Sequence, residues 1–251
     1  MDDHAGKVAL VTGSSRGVGA ETVRGLVRQR VAAVVNYRDK ANRANALAEE
    51  LRAEGGTVLT VQADVTEPAS LARLHDEIAQ EFGGLDFLIL NASGGMERDA
   101  DETYAMRLNR DAQVALVDTM LPLLRPGGRI VFVTSHQAHF YGQRAVPDAY
   151  RPVAESKQAG ERALRERIPA LEAAGVSLTV VSGDLIADTI TVKMLERAQP
   201  GTVAAREAGA GRVLTVPEFA DAVVAAALDP AAPSGETIFV GGADYLRQAD
   251  G

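Results

Sequence analysis

The feature that most constrains this chain is a succession of short apolar runs, each followed by a longer stretch of helical periodicity. The runs are KVALVT (7–12), VAAVVNY (31–37), TVLTVQ (57–62), DFLIL (86–90), RIVFVT (129–134), SLTVVS (177–182) and TIFV (237–240). Apart from 57–62, most do not alternate apolar with polar residues. A strand that faces water on one side alternates, whereas a strand covered on both faces stays apolar throughout. Parallel strands also require crossover connections, which the intervening helices supply. The pattern predicts an α/β fold with a doubly wound parallel sheet of about seven strands and helices on both faces.

The helical segments fit this plan. Residues 67–83 place Leu71, Leu74, Ile78 and Phe82 on one face, and 40–54 end at a Gly-Gly stop. No repeat, low-complexity tract or Pro/Ser linker divides the chain, so residues 1–251 read as a single domain. One segment breaks the rhythm. Residues 183–215 carry Gly, Thr, Met and Pro and leave room only for a short helix, after the carboxyl end of the sixth strand. Such folds place a substrate lid there.

Composition removes several function classes. Acidic residues outnumber basic ones 34 to 26, a net charge of −8, which argues against nucleic acid as a partner. No window approaches a membrane span, and the start MDDHAGKVALVTG lacks the pattern of a secretory signal. There are no cysteines, and His4, His75, His136 and His139 form no metalloenzyme motif. The expectation is a cytoplasmic, metal-independent protein.

Between the first strand and the next helical pattern lies TGSSRGVGA (12–20), with Gly13, Gly17 and Gly19. Glycines let the chain turn sharply and approach a pyrophosphate, while the helix that follows aims free N–H groups at the anion. In a βαβ setting this marks a Rossmann-type dinucleotide site, with Ser15, Arg16 and Val18 in the turn among its contacts. An NAD site should end its second strand on a carboxylate. Here Tyr37 stands in that place and Arg38 follows, with Arg16 able to reach the same side. Guanidinium groups suit a 2′-phosphate, so NADP(H) is expected in preference to NAD(H). A one-residue shift of register would instead bring Asp39 to the ribose.

These residues resemble those of the short-chain dehydrogenase/reductase family, along nearly the whole chain. TGSSRGVG is similar to the family's TGxxxGxG, and ADV (63–65) to its adenine-contacting Asp-Val, pointing to Asp64 and Val65. LNAS (90–93) takes the place of Asn-Asn-Ala-Gly, keeping Asn91 and Ala92 and bringing Ser93 to the cofactor. Asn109 matches the asparagine of the long central helix, Ser135 the serine after the fifth strand, and GETIFVGG (235–242) the closing strand. The resemblance implies that Asn109 holds a water in a proton relay and that Ser135 hydrogen-bonds a substrate carbonyl. It implies too that Lys157 binds the nicotinamide ribose and lowers the pKa of a tyrosine acid. It also implies a homodimer or homotetramer and a small-molecule ketone or secondary alcohol as substrate.

Two departures stand out. Val153 occupies the position four residues before Lys157 where the family has its tyrosine, with Tyr150 three residues further back. After the sixth strand the usual Pro-Gly is replaced by SGDLIADTIT (182–191), which keeps Gly183 and leaves Leu185 to offer its backbone to the carboxamide; Asp184 adds a carboxylate near the substrate entrance. Four accounts of the missing acid compete. Tyr150 serves, from an entering loop, because a residue before Pro152 avoids helical angles; in a continuous helix it would stand about 10 Å from Lys157 along the axis. Alternatively, His136, His139 or Tyr141 donates, each more naturally a surface side chain. Or the substrate brings its own acid, such as a phenol beside the ketone. Or the protein is a non-catalytic NADP-binding sensor or regulator. The leading expectation is an NADPH-dependent ketoreductase with an altered or substrate-assisted proton donor.

Overall fold

The computed structural model describes residues 4–96, 101, 103–242 and 245; the remainder of the 1–251 span lies outside the described residues. Seven strands form one parallel sheet: β1 (Val8–Val11), β2 (Ala32–Tyr37), β3 (Val58–Gln62), β4 (Leu85–Leu90), β5 (Leu124–Ser135), β6 (Ser177–Gly183) and β7 (Thr237–Val240). Their order is β3-β2-β1-β4-β5-β6-β7. The reversal lies between β1 and β4, the point at which such sheets open a crevice for a ligand.

Both faces of the sheet are covered, as the unbroken apolar runs require. One face buries Leu10, Val34, Leu88, Ile130 and Phe132 beneath α3 (Pro68–Phe82), α5 (Ala112–Met120) and α7 (Arg151–Arg165). The other buries Ala9, Val11, Val35, Ile89 and Val131 beneath α1 (Gly17–Arg28), α2 (Ala41–Ala53) and α11 (Val216–Leu228). Fully burying each Val, Leu or Ile contributes roughly 1.5–3 kcal/mol, so neither face can be left to water. Within α3 the stripe Leu71, Leu74 and Ile78 is buried.

Three elements differ from the sequence reading. Strand β5 starts five residues early, at Leu124, because Leu124 pairs with Leu85 across an irregular register before the regular ladder begins at Arg129. Pro126-Gly127-Gly128 conceals that extension. The central helix is not continuous: α4 (Tyr104–Met106) runs into a π-turn (Arg107–Asp111) before α5. The irregular segment after β6 holds two helices, α9 (Ile190–Ala198) and α10 (Thr202–Ala210), where the sequence left room only for a short one. Two smaller helices, α6 (His136–His139) and α8 (Ile168–Ala173), complete the set used below.

Candidate active site and cofactor cradle

The turn between β1 and α1 is built for close approach. Gly13 and Gly17 adopt φ of +62° and +58°, which L side chains rarely tolerate. At Gly19 a Cβ would fall 2.6 Å from Asn91 Nδ2. The α1 N-terminus has no side-chain cap and no acidic residue in its first turn. Its first N–H groups therefore remain available to an anion. The turn is braced from behind. Asn36, 2% exposed, accepts from the Gly13 N–H at 3.2 Å and donates to Ala63 O at 3.0 Å. Thr12 Oγ1 accepts from the N–H groups of Asn91 and Ala92, both at 3.0 Å, and Asn91 Nδ2 donates to Thr12 O at 2.8 Å.

A cavity of about 630 Å³ runs along this turn, lined by Ser15, Arg16, Val18, Tyr37, Arg38, Asp64, Val65, Asn91, Ala92 and Ser93 among others. All the cofactor-side residues expected from the sequence converge on it except Lys157 and Leu185, which line the adjoining cavity. Asp64 Oδ1 is held by Thr66 N–H at 2.9 Å and Thr66 Oγ1 at 2.7 Å, which fixes the loop after β3. At the β2 end, Arg38 pairs with Asp39 at 2.8 Å and donates to Tyr104 Oη at 2.6 Å. Asp39 is thus tied to the guanidinium beside it. Lys40, Arg43 and Lys193 also line this cavity. The first two were legible as a basic run after β2. Lys193 arrives from α9, and no local pattern announces it.

A second cavity, about 150 Å³, is lined by Ser135, Tyr150, Lys157, Asn91, Ser93, Leu185 and Thr189 among others. Strand β5 carries Ser135 at its carboxyl end, paired in register with Gly183 of β6. Tyr150 closes a 3₁₀ turn (Asp148–Tyr150) and stands at the N-cap of α7. It is buried, and its Oη lies 3.0 Å from Ser135 Oγ. Burial pushes the Tyr150 phenol up, the Ser135 hydrogen bond opposes this, and the nearby Tyr245 phenol adds to the rise. Burial also lowers Lys157, to about 8. Its ammonium has no hydrogen-bond partner among the described residues and sits 5.8 Å from the centroid of the Phe132 ring.

The entry into α7 corrects the sequence reading. Arg151, before Pro152, has φ −52° and ψ −48°, so helical geometry already begins there. Tyr150 therefore lies in an ordered turn and not in a free loop. Val153 packs with Ala138, Tyr150, Ala154 and Leu195 in an apolar cluster and does not line the cavity. Of the other candidate acids, His136 lines the same cavity and is not a surface side chain. It is fully buried, with Nδ1 2.8 Å from Ser182 Oγ and Nε2 3.1 Å from Gly241 O. Since a carbonyl only accepts, Nε2 carries the proton and Nδ1 accepts from Ser182. His139 Nδ1 pairs with Glu161 at 3.0 Å, and Tyr141 reaches Glu155. Asp184 lines this cavity as well, where it is paired with Arg206 at 2.7 Å, its side chain 8% exposed.

Asn109 lies in the π-turn, a distortion frequent at functional sites. Its amide is fully engaged: Nδ2 donates to Gly94 O (2.8 Å) and Ser156 Oγ (2.9 Å), and Oδ1 accepts from Gly94 N–H (3.3 Å). The Asn109 carbonyl faces α7 so closely that a Cβ on Gly160 would stand 2.1 Å from it.

Among the described residues no helix is long and apolar enough to cross a membrane, and no cluster of potential ligands could hold a metal ion. The family model for short chain dehydrogenases matches residues 7–200. The chain is 35% identical over 143 residues to versicolorin reductase stcU of Emericella nidulans, covering 55% of this chain and 54% of that protein. It is 34% identical over 146 residues to tetrahydroxynaphthalene reductase PfmaG of Pestalotiopsis fici, covering 55% and 52%. The chain thus spans about half the length of the curated relatives it matches. Over 96% of this chain and 98% of the other, it is similar to a solved blue fluorescent protein from a metagenomic library in complex with NADPH, with a TM-score of 0.82 and 28% identity. With the glycine turn, the seven-stranded sheet and the family match in agreement, the chain belongs to the short-chain dehydrogenase/reductase family.

Proposed function

We propose that this protein is an NADPH-dependent ketoreductase in which Tyr150, three residues ahead of the family's usual position, is the proton donor. The observation that carries the reading is the 3.0 Å contact between Tyr150 Oη and Ser135 Oγ in the cavity that Lys157 also lines. The cradle suits the cofactor: positive-φ glycines, an uncapped helix N-terminus and Arg16, Arg38, Lys40 and Arg43 around the ribose end fit a pyrophosphate and a 2′-phosphate. When bound, the nicotinamide supplies a hydride. Ser135 donates a hydrogen bond to the carbonyl oxygen, Tyr150 delivers the proton to that oxygen, and Lys157 holds the ribose. Asn109 keeps the π-turn against α7. One relative is named a tetrahydroxynaphthalene reductase, after a hydroxylated fused-ring compound, which supports an aromatic ketone as substrate class. The protein works in the cytoplasm, as a homodimer or homotetramer.

The test is consumption of NADPH with a panel of aromatic ketones. Tyr150→Phe should lower kcat by about 10²–10⁴-fold, the usual contribution of a general acid. An unchanged kcat would remove Tyr150 from the chemistry and leave the substrate's own phenol as donor. Tight NADPH binding without turnover of any ketone would point to a cofactor-responsive binding protein, the role suggested by Val153.

A further inference from the structure

Beside the Ser135–Tyr150 pair lies a cluster that the proposed chemistry does not use. The chain leaves β7 through Gly241 and Gly242, at φ +72° and +57°. This turn lies flat on its neighbours: a Cβ on Gly242 would meet Arg206 Nη2 and His136 Cδ2 at 2.9 Å and Asp184 Oδ2 at 3.0 Å. His136 holds the turn by donating to Gly241 O. The turn delivers Tyr245, whose N–H donates to Gly242 O at 2.9 Å.

The Tyr245 ring is gripped on several sides. It stacks on Phe140 at 6.0 Å and lies 5.2 Å from the ring of His136, both from the segment that follows Ser135. Arg144 Cζ stands 5.3 Å over it, and Arg144 also donates to the Tyr245 carbonyl. Arg206, from α10, also places its Cζ 4.8 Å from the ring centroid. The same guanidinium is tied to Asp184, at the mouth of β6, through contacts of 2.7–2.9 Å. The side chains of Arg206 and Asp184 are 16% and 8% exposed. α10 is thus fastened at Arg206, between a carboxylate of the sheet and a tyrosine of the C-terminal segment. Its neighbour α9 contributes Val192 and Leu195 to the cavity wall beside Tyr150.

We propose that Tyr245 is a specificity-determining residue of this site: by seating Arg206 it fixes α9 and α10 over the Ser135–Tyr150 end and so limits the size of the carbonyl compound admitted. The selectivity half rests on the ketoreductase reading; the docking half does not. Cation–aromatic contacts strengthen as they are desolvated, and a nine-residue helix fastened at one side chain depends on them to stay docked. The influence of Tyr245 on the Tyr150 phenol agrees with its lying at the reacting end.

The experiment compares wild type, Tyr245→Phe, Tyr245→Ala and Arg206→Met in the full chain by hydrogen–deuterium exchange and ketone selectivity. Tyr245→Ala and Arg206→Met should speed amide exchange in residues 202–210 by about tenfold, with β5 and β6 unaffected, while Tyr245→Phe retains slow exchange. Tyr245→Ala should raise the kcat/KM ratio of a bulky tricyclic aromatic ketone to 1-tetralone by about tenfold, and Tyr245→Phe should restore the wild-type ratio. Wild-type exchange rates in 202–210 of Tyr245→Ala would overturn the proposal whatever the turnover. Faster exchange with an unaltered ratio would overturn the selectivity half. If wild type reduces no ketone, the ketoreductase reading falls with the selectivity half, and the exchange data alone decide the docking role.

Discussion

Lys157 shows how a single side chain can be costly to the fold and useful to the site. Its ammonium is buried without a hydrogen-bond partner among the described residues, and burial lowers its pKa from 10.5 to about 8. In an unfolded chain the same group stays protonated to higher pH. Between about pH 8 and 10.5 the unfolded state therefore binds more protons, so stability rises with pH across that window. Below it, the charged form carries a penalty on the order of 3 kcal/mol. Lys157→Met should accordingly raise the melting temperature at pH 7 while weakening NADPH binding at least tenfold; a variant that melts lower would show that the ammonium is satisfied in the folded protein.

At the scale of elements, two contacts decide where the site residues stand. The π-turn carrying Asn109 packs on α7 only because Gly160 has no side chain. Gly160→Ala drives a methyl into the Asn109 carbonyl, and should cost about 1–3 kcal/mol or more in denaturant unfolding and displace Lys157 with the helix. His136 joins the ends of β5, β6 and β7 through Ser182 and Gly241. Burial lowers its pKa below 6.5. Its contribution is therefore fully present above about pH 6.5, the unfolded value, and is lost as pH falls through the folded value. Thermal melts between pH 7.5 and 5 should show this loss, and His136→Gln should flatten it. An identical pH dependence in the variant would assign the loss to other groups.

For the whole molecule, the cofactor cradle joins parts far apart in the chain: the glycine turn, the end of β2, the end of β4 and α9. A ligand that binds only the folded state stabilises it by about 2.7 kcal/mol at a hundred times its Kd, or roughly 5–10 °C for a domain of this size. NADPH should raise the melting temperature more than NADH does. Arg38→Ala should remove most of that difference, lowering NADPH affinity by about tenfold and NADH affinity by less than about threefold. Equal losses for the two cofactors would place Arg38 outside the 2′-phosphate site and turn attention to Lys40 and Arg43.

The sequence by itself determined the seven parallel strands, because strands covered on both faces have to be apolar throughout, and the glycine turn, because Gly13, Gly17 and Gly19 sit where a side chain would obstruct an anion. It also marked the gap at Val153 and named Tyr150 as a candidate to fill it. Only the tertiary structure decided that Tyr150 meets Ser135, since the turn that brings it there depends on helical angles at Arg151 that local preference before proline disfavours. The burial of His136, the arrival of Lys193 at the cradle and the seat of Arg206 on Tyr245 were likewise invisible in the sequence. Each joins residues distant along the chain, and periodicity reports only a residue's own face, not the neighbour that comes to cover it.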